Sequence, residues 1–230
     1  MSIRERVDRN DVLVCEPDTE LWRVGRSTGP LHFSRLDSEI AEDDRAGNRF
    51  DVLGGGVLYA ASNPTGAYAE TLQGFRPTTA TRAAAQAHQP HLMLAGDVPR
   101  DWRARRSLAQ FLIQSPTPFV DIESPQTHRA LEHHLAGELD ALGIANLDVS
   151  AVRSERRLVT RLIATWAYRA TDPETNYAMY CGIRYVSKIG NHECWAIFEG
   201  TELSLLGAGP IDGNDHAYRQ AGAELGLRLH

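Results

Sequence analysis

The sequence predicts a mixed α+β fold. Runs that read as strands come in clusters, and the stretches that read as helices do not alternate regularly with them. A doubly wound parallel sheet would show regular strand–helix alternation. No internal repeat or low-complexity linker divides the chain, so its 230 residues read as one large domain, or one domain with an insertion.

Residues 1–20 are polar and read as a lead-in arm or short helix. Leu21 to Arg26 alternates as a strand, with Trp22 and Val24 on one face and Arg23 and Gly25 on the other. Residues 27–56 carry Gly, Pro, Asp and Asn and read as an extended loop closing on Gly54-Gly55-Gly56. A loop of that length is usually functional or mobile. Val57 to Ala61 is the next strand. Asn63 is a capping residue and Pro64 suits the first position of a helix that ends near Gly74.

Residues 76–150 form a longer, less regular middle segment. Residues 78–88 are rich in Thr and Ala, and His91 to Ala95 reads as a strand. Leu131, Leu135, Leu139 and Leu142 predict a helix over Thr127–Leu142 that stops at Gly143. Ser150 to Ala170 is amphipathic, with Val152, Leu158, Leu162 and Trp166 as its apolar markers. Strands follow at Ala178–Ser187 and Glu193–Glu199, joined by a Lys-Ile-Gly-Asn-His turn, and another at Leu203–Leu206. A last helix runs from about Asp215 to Leu225.

Hydrophobic residues make up 42% and charged residues 23%, ordinary values for a globular protein, and the net charge is −6. An acidic balance argues against non-specific nucleic-acid binding but leaves room for a local basic pocket that holds phosphates. Cys15, Cys181 and Cys194 fit neither a zinc pattern nor a disulfide framework, which points to a reduced, cytoplasmic protein. The charged N-terminus lacks the apolar core of a secretory signal, and no apolar run is long enough to span a membrane.

Candidate functional residues lie in five places. Arg23, beside Gly25, reads as a surface arginine or as a planar fork that approaches a pyrophosphate. Arg49 and Phe50 sit in the long loop, where Arg49 could clamp a phosphate and Phe50 anchor the loop. Tyr59 is either a core residue or a flat surface for a nicotinamide ring. Glu70 is two residues from the apolar pair Tyr68 and Leu72, so it points away from them. It is either solvated or a carboxylate that supports positive charge at an anomeric carbon. Ser187 ends a strand with no Gly-x-Ser-x-Gly elbow around it, which leaves it a turn residue or a hydrogen-bond donor to phosphate or ribose. No metal-binding motif, Walker loop or dinucleotide fingerprint is present, and His133-His134 lie side by side on a helix, unable to face one metal together.

The order of these features resembles the RES domain family. The matching blocks are Trp-Arg-Val at 22–24, Asn-Arg-Phe at 48–50, Val-Leu-Tyr-Ala-Ala at 57–61, Ala-Tyr-Ala-Glu-Thr-Leu at 67–72 and Gly-Ile-Arg-Tyr-Val-Ser at 182–187. Arg157-Leu158-Val159-Thr160 and Cys194-Trp195-Ala196-Ile197-Phe198 also look like family features, so the blocks span about residues 21–200 around a poorly matched middle. The family's Arg, Glu and Ser match Arg23, Glu70 and Ser187, and its strand tyrosine matches Tyr59. The family often has Pro before the serine; here it is Val186.

The resemblance implies a fold like that of ADP-ribosyltransferases, with mainly antiparallel sheets around a central NAD+ cleft and peripheral helices. It implies a toxin that cleaves the nicotinamide–ribose bond by hydrolysis or phosphorolysis, or one that transfers ADP-ribose to a protein. On this reading Arg23, Tyr59, Glu70 and Ser187 are catalytic. Arg23, Arg49, Phe50, Tyr59 and Ser187 contact the substrate. NAD+ is substrate and no cofactor or metal is required, with phosphate as the alternative co-substrate. The expected partner is an Xre-type antitoxin on a separate chain, with neither nucleic acid nor membrane bound. The apolar helices leave a homo-oligomer open, and a non-catalytic nucleotide- or protein-binding module is the rival reading.

Overall fold

The computed structural model of the chain describes residues 4–17, 20–85, 95–115 and 117–230. The N-terminal segment is a hairpin, β1 (Arg4–Val7) and β2 (Leu13–Glu16), with Asp11 at its turn in a left-handed conformation. The expected arm or short helix is therefore a sheet edge. β3 (Leu21–Arg26), β4 (Ser34–Arg35) and β5 (Gly56–Ala61) follow. Helix α1 (Pro64–Leu72) starts as its sequence indicates, with the Asn63 side chain accepting from the Gly66 amide at 2.8 Å, and runs into a 3-10 turn, Gln73–Phe75.

The middle segment contributes α2 (Thr79–Ala85), β6 (Asp97–Val98), α3 (Arg100–Ala104), β7 (Arg106–Ile113) and β8 (Phe119–Asp121). The strand expected at His91–Ala95 falls almost wholly outside the described residues. α4 (Pro125–His134) and α5 (Ala136–Ala141) replace one predicted helix, bent at Leu135; the four-residue spacing survives, because Leu131, Leu135 and Leu139 are all buried. α6 (Val149–Val152) and α7 (Arg157–Arg169) likewise divide one predicted helix. The chain closes with β9 (Gly182–Val186), β10 (Glu193–Phe198), β11 (Leu203–Pro210), α8 (His216–Leu225) and β12 (Arg228–Leu229).

The break before α7 has a long-range cause. Arg156 is extended and gives the helix no side-chain cap. Asp44, from the loop before β5, supplies the caps instead: its carbonyl accepts from the Arg157 amide at 2.9 Å and its carboxylate from the Leu158 amide at 2.8 Å. The loop is thereby stapled to α7.

The main sheet is mixed and mostly antiparallel, in the order β1-β2-β8-β9-β10-β5-β3-β7-β11, with β4 also paired to β5; β8 and β9 are parallel. It is one curled sheet with a buried apolar cluster on each face of its central strands and exposed edge strands, β1 and β11. One face packs against the helices through a large core that includes Phe50, Tyr68, Leu72, Ile163 and Tyr185. The other closes on itself through Leu21, Leu58, Phe111, Phe119 and Trp195, with Leu31 and Phe33 packed beside them. Among the described residues no helix is long and apolar enough to cross a membrane.

One irregularity positions the site. β3 keeps full register with β7 from Leu21 to Arg26, but meets β5 only at Trp22 opposite Ala61. The two strands splay beyond that point, and the other end of β5 pairs with β4 at Val57 and Gly56. The mouth of this split is where the cleft opens.

Candidate active site

Arg23 sits at the split and bridges it. Its Nη1 donates to the Tyr59 carbonyl at 2.8 Å, its Nε to the Pro30 carbonyl at 3.0 Å and its Nη2 to the His32 carbonyl at 3.3 Å. Those three bonds stand in for the ladder that β3 and β5 do not form. A guanidinium has five N–H bonds, so one hydrogen on each terminal nitrogen is left for a ligand. Burial pushes the group down to about 10, still well above neutral pH, with Tyr59 and Tyr185 opposing the shift.

Beside the split lies a cleft of about 1160 Å³. Arg23, Arg49, Tyr59, Glu70 and Tyr185 all line it. Glu70 reaches it because α1 is divided by face. Tyr68 and Leu72 are fully buried, and the Tyr68 ring packs edge-on against Tyr218 of α8. Ala67, Glu70 and Thr71 turn the opposite way and form the cleft wall.

The Glu70 carboxylate is held from behind at both oxygens. Ser187 Oγ donates to Oε1 at 2.5 Å, and Tyr185 Oη donates to Oε2 at 3.0 Å. Ser187 is 1% exposed and is not part of the cleft wall. Its hydroxyl also accepts from the Ile189 amide at 3.2 Å, and its own amide donates to the His192 carbonyl at 2.8 Å. Ser187 thus reaches the cleft through Glu70, with its hydroxyl bonded within the protein.

Arg49 is almost fully buried. Its Nη2 donates to the Val152 carbonyl at 2.7 Å, and its guanidinium lies against the rings of both Phe50 and Tyr185, 5.2 and 5.0 Å from their centres. Burial pulls its pKa down, while Tyr185 and Glu70 oppose that shift. Its Nε is buried with no partner among the described residues. Phe50, expected at the ligand, is completely buried and not part of the cleft wall. Its ring supports Tyr185 at 5.0 Å, so it acts on the site from the core.

The Tyr59 ring lines the cleft while its hydroxyl is tied down behind. The hydroxyl donates to Asp51 Oδ1 at 2.8 Å and accepts from the Phe50 amide at 3.0 Å. Burial and the Asp51 carboxylate hold the phenol well above its ordinary value, so it stays protonated. Asp51 also accepts from the Asn48 amide at 2.7 Å, closing the 48–51 turn that carries Arg49. The two open readings of Tyr59 are thus combined, with its hydroxyl fixed in the protein and its ring facing the cleft.

Tyr185 and Asp51 were missed at the sequence level. Tyr185 reads there as one more apolar strand residue; its spacing of two from Ser187 is the available signal, since period two puts both on one face. The sequence leaves room for a local basic pocket but does not show its extent. The cleft is lined by eight arginines and one lysine but only two acids, Glu70 and Glu155, in a chain of net charge −6. None of those nine cations takes part in an ion pair among the described residues; the paired arginines lie elsewhere. A wall of unpaired cations around one held carboxylate suits a polyanionic ligand with a centre that gains positive charge.

The family model described as RES domain matches residues 20–211. No curated protein matches the sequence. A structure entitled "Crystal structure of the M.tuberculosis MbcT-MbcA toxin-antitoxin complex" is similar with a TM-score of 0.48 and 14% identity, covering 95% of this chain and 100% of that chain.

Proposed function

We propose that this chain, which belongs to the RES domain family, cleaves NAD+ at the nicotinamide–ribose bond. The observation that carries the reading is Glu70: a carboxylate held by Ser187 and Tyr185 and facing a cleft whose charged residues are mostly cations. NAD+ is a dianionic pyrophosphate joined to a ribose that becomes cationic on cleavage. The cleft matches both signs of charge.

In the reaction the C1′–N bond breaks and its electron pair stays with nicotinamide, which leaves neutral. No proton has to be delivered to the leaving group. Positive charge develops over C1′ and the ring oxygen, and the Glu70 carboxylate stabilises it through the ribose hydroxyls. Arg23 offers its two remaining N–H bonds to the pyrophosphate, and Arg49 adds positive charge. The Tyr59 ring provides the surface against which nicotinamide or its ribose packs. Water attacks C1′ and loses a proton to give ADP-ribose, or phosphate attacks to give ADP-ribose 1″-phosphate. Ser187 acts as a positioning residue. Catalysis rests on orientation and preset electrostatics.

In this reading the fold is related to that of ADP-ribosyltransferases, and the chain is the toxin of a toxin–antitoxin pair whose Xre-type antitoxin is a separate chain. Transfer of ADP-ribose to a protein, or binding without turnover, would be the alternatives.

The test is to incubate purified protein with NAD+, with and without phosphate, and resolve the products. Release of nicotinamide, lost in Glu70→Gln with unchanged melting temperature, is the expected result. Intact NAD+ from folded wild-type protein would sink the proposal.

A further inference from the structure

Eight of the cleft's nine cations, all but Arg45, divide between its two ends. Burial lowers the basicity of Arg49 and Lys188, and the nearby charges of Arg157 on both and of Arg49 on Lys188 lower it further; Arg23 and Glu70 belong to the same end, through Tyr185 and Arg49. Arg26 and Arg106 face each other toward the other end, and Arg76 and Arg82 line the same cleft. From Arg23 to Arg26 is three strand residues, roughly 10 Å at about 3.3 Å per residue. From Glu70 to Arg76 the chain passes through the end of α1 and a 3-10 turn, again on the order of 10 Å.

The far group is costly as it stands. Arg26 and Arg106 are register partners on adjacent antiparallel strands. Like charges directly opposite each other destabilise a sheet. Arg105 adds a third positive charge beside Arg106, and the adjacent acid, Asp101, is bound to Arg105. Arg106 is also held rigid: its guanidinium lies over the Trp102 ring at 4.8 Å, and its Nη1 donates to the Trp102 carbonyl at 3.4 Å. The Phe75 ring meets Trp102 at 6.4 Å, which brings the segment carrying Arg76 alongside. Burial lowers the pKa of Arg106, and Arg105 and Arg26 lower it further. A bound anion would relieve all of this at once.

We infer that the Arg26–Arg76–Arg82–Arg106 group is a second anion subsite, which takes a phosphate monoester on the adenosine ribose, so that the preferred substrate is the phosphorylated dinucleotide NADP+ over NAD+. The inference rests on the proposed function, which places the nicotinamide ribose at Glu70. Both dinucleotides then put their pyrophosphate near Arg23. Only the phosphorylated one carries a further group beyond it, a near-dianion at neutral pH suited to a planar arginine fork.

The experiment titrates the intact protein calorimetrically with adenosine 2′,5′-bisphosphate, AMP and inorganic phosphate, and follows NADP+ and NAD+ turnover in parallel. The bisphosphate is expected to bind at least about tenfold more tightly than AMP. Arg76→Gln with Arg82→Gln, both exposed side chains, should erase that difference without lowering the melting temperature. Equal affinities, or a difference that survives the double variant, would overturn the subsite. Binding of inorganic phosphate with no preference for the bisphosphate would also overturn it, by making this a site for the free ion. NAD+ turnover with equal affinities would leave the proposed function standing. The expected preference without turnover of either dinucleotide would uphold the subsite and defeat the cleavage reading.

Discussion

Ser187 donates its hydroxyl to Glu70 across 2.5 Å, joining the end of β9 to the open face of α1 over a separation of 117 residues. The bond fixes one carboxylate oxygen, Tyr185 fixes the other, and the acid enters the cleft in a single orientation.

Ser187→Ala removes that restraint without removing the acid. A hydrogen bond to a charged group is worth about 1.5–3 kcal/mol, so kcat should fall by roughly 10- to 100-fold. KM should change little, because the serine is not part of the cleft wall. Steady-state kinetics decide it: a rise in KM at constant kcat would return Ser187 to a direct substrate contact.

Tyr185→Phe separates two roles of one ring. The variant keeps the ring contacts with Arg49 and Phe50 and loses the bond to Glu70. The expected outcome is a kcat reduced by about tenfold and a nearly unchanged melting temperature, since the carboxylate keeps its serine partner. Full activity in Tyr185→Phe would leave Ser187 alone as the residue that orients Glu70.

The legible parts of this chain were those specified locally. Asn63 and Pro64 mark the start of α1, and the spacing of Glu70 from Tyr68 and Leu72 gives the direction in which it points. What escaped was specified at long range. α7 starts where Asp44 caps it, from more than a hundred residues away in the chain. β7 buries Ser107, Ala109 and Phe111 on one side while Leu108 and Leu112 sit on the other, too little apolar contrast between its faces to stand out as a strand. The role of Ser187 depends on α1 arriving opposite β9, and no pattern within either segment records that. The extent of the cleft's charge escaped for the same reason: its arginines come from β3, β7, α2, α7 and the loops, and each looks solvated by itself.

Gly25 is needed for the clamp made by Arg23. A Cβ there would stand 2.3 Å from the Pro30 carbonyl oxygen and 2.7 Å from the Pro30 Cα, both backbone atoms that cannot rotate away. Pro30 also supplies an acceptor to Arg23. Gly25→Ala should therefore cost about 1–3 kcal/mol and lower the melting temperature by roughly 2–4 °C per kcal/mol. It should also lower activity, through the displaced guanidinium. An unchanged melting temperature would mean that the loop after β3 yields freely.

The three thiols should be silent in the native protein. Cys15, Cys181 and Cys194 are buried, and burial raises each well above the ordinary thiol value. Little thiolate then exists at mildly alkaline pH to attack a disulfide reagent. Titration with such a reagent should detect no thiol under native conditions and all three in denaturant. A rapidly reacting native thiol would reveal an opening of the sheet across β2, β8, β9 and β10, since Cys15 lies in β2, Cys194 in β10 and Cys181 just before β9.

Substrate affinity should depend on salt in the direction opposite to the protein's overall charge. A chain of net charge −6 repels an anionic dinucleotide at long range, and screening that repulsion would favour binding. The cleft is a local exception, with nine cations against two acids, and at contact distances its field prevails over the distant negative charge. KM for the dinucleotide should accordingly rise at least about threefold between roughly 50 and 300 mM NaCl, with kcat nearly constant. Arg82→Gln should flatten the slope, because it removes one exposed cation from the wall while leaving Glu70, Ser187 and Tyr185 in place. A KM that falls as salt is added would mean that the net charge dominates, and that the cleft arginines do not act together on the ligand.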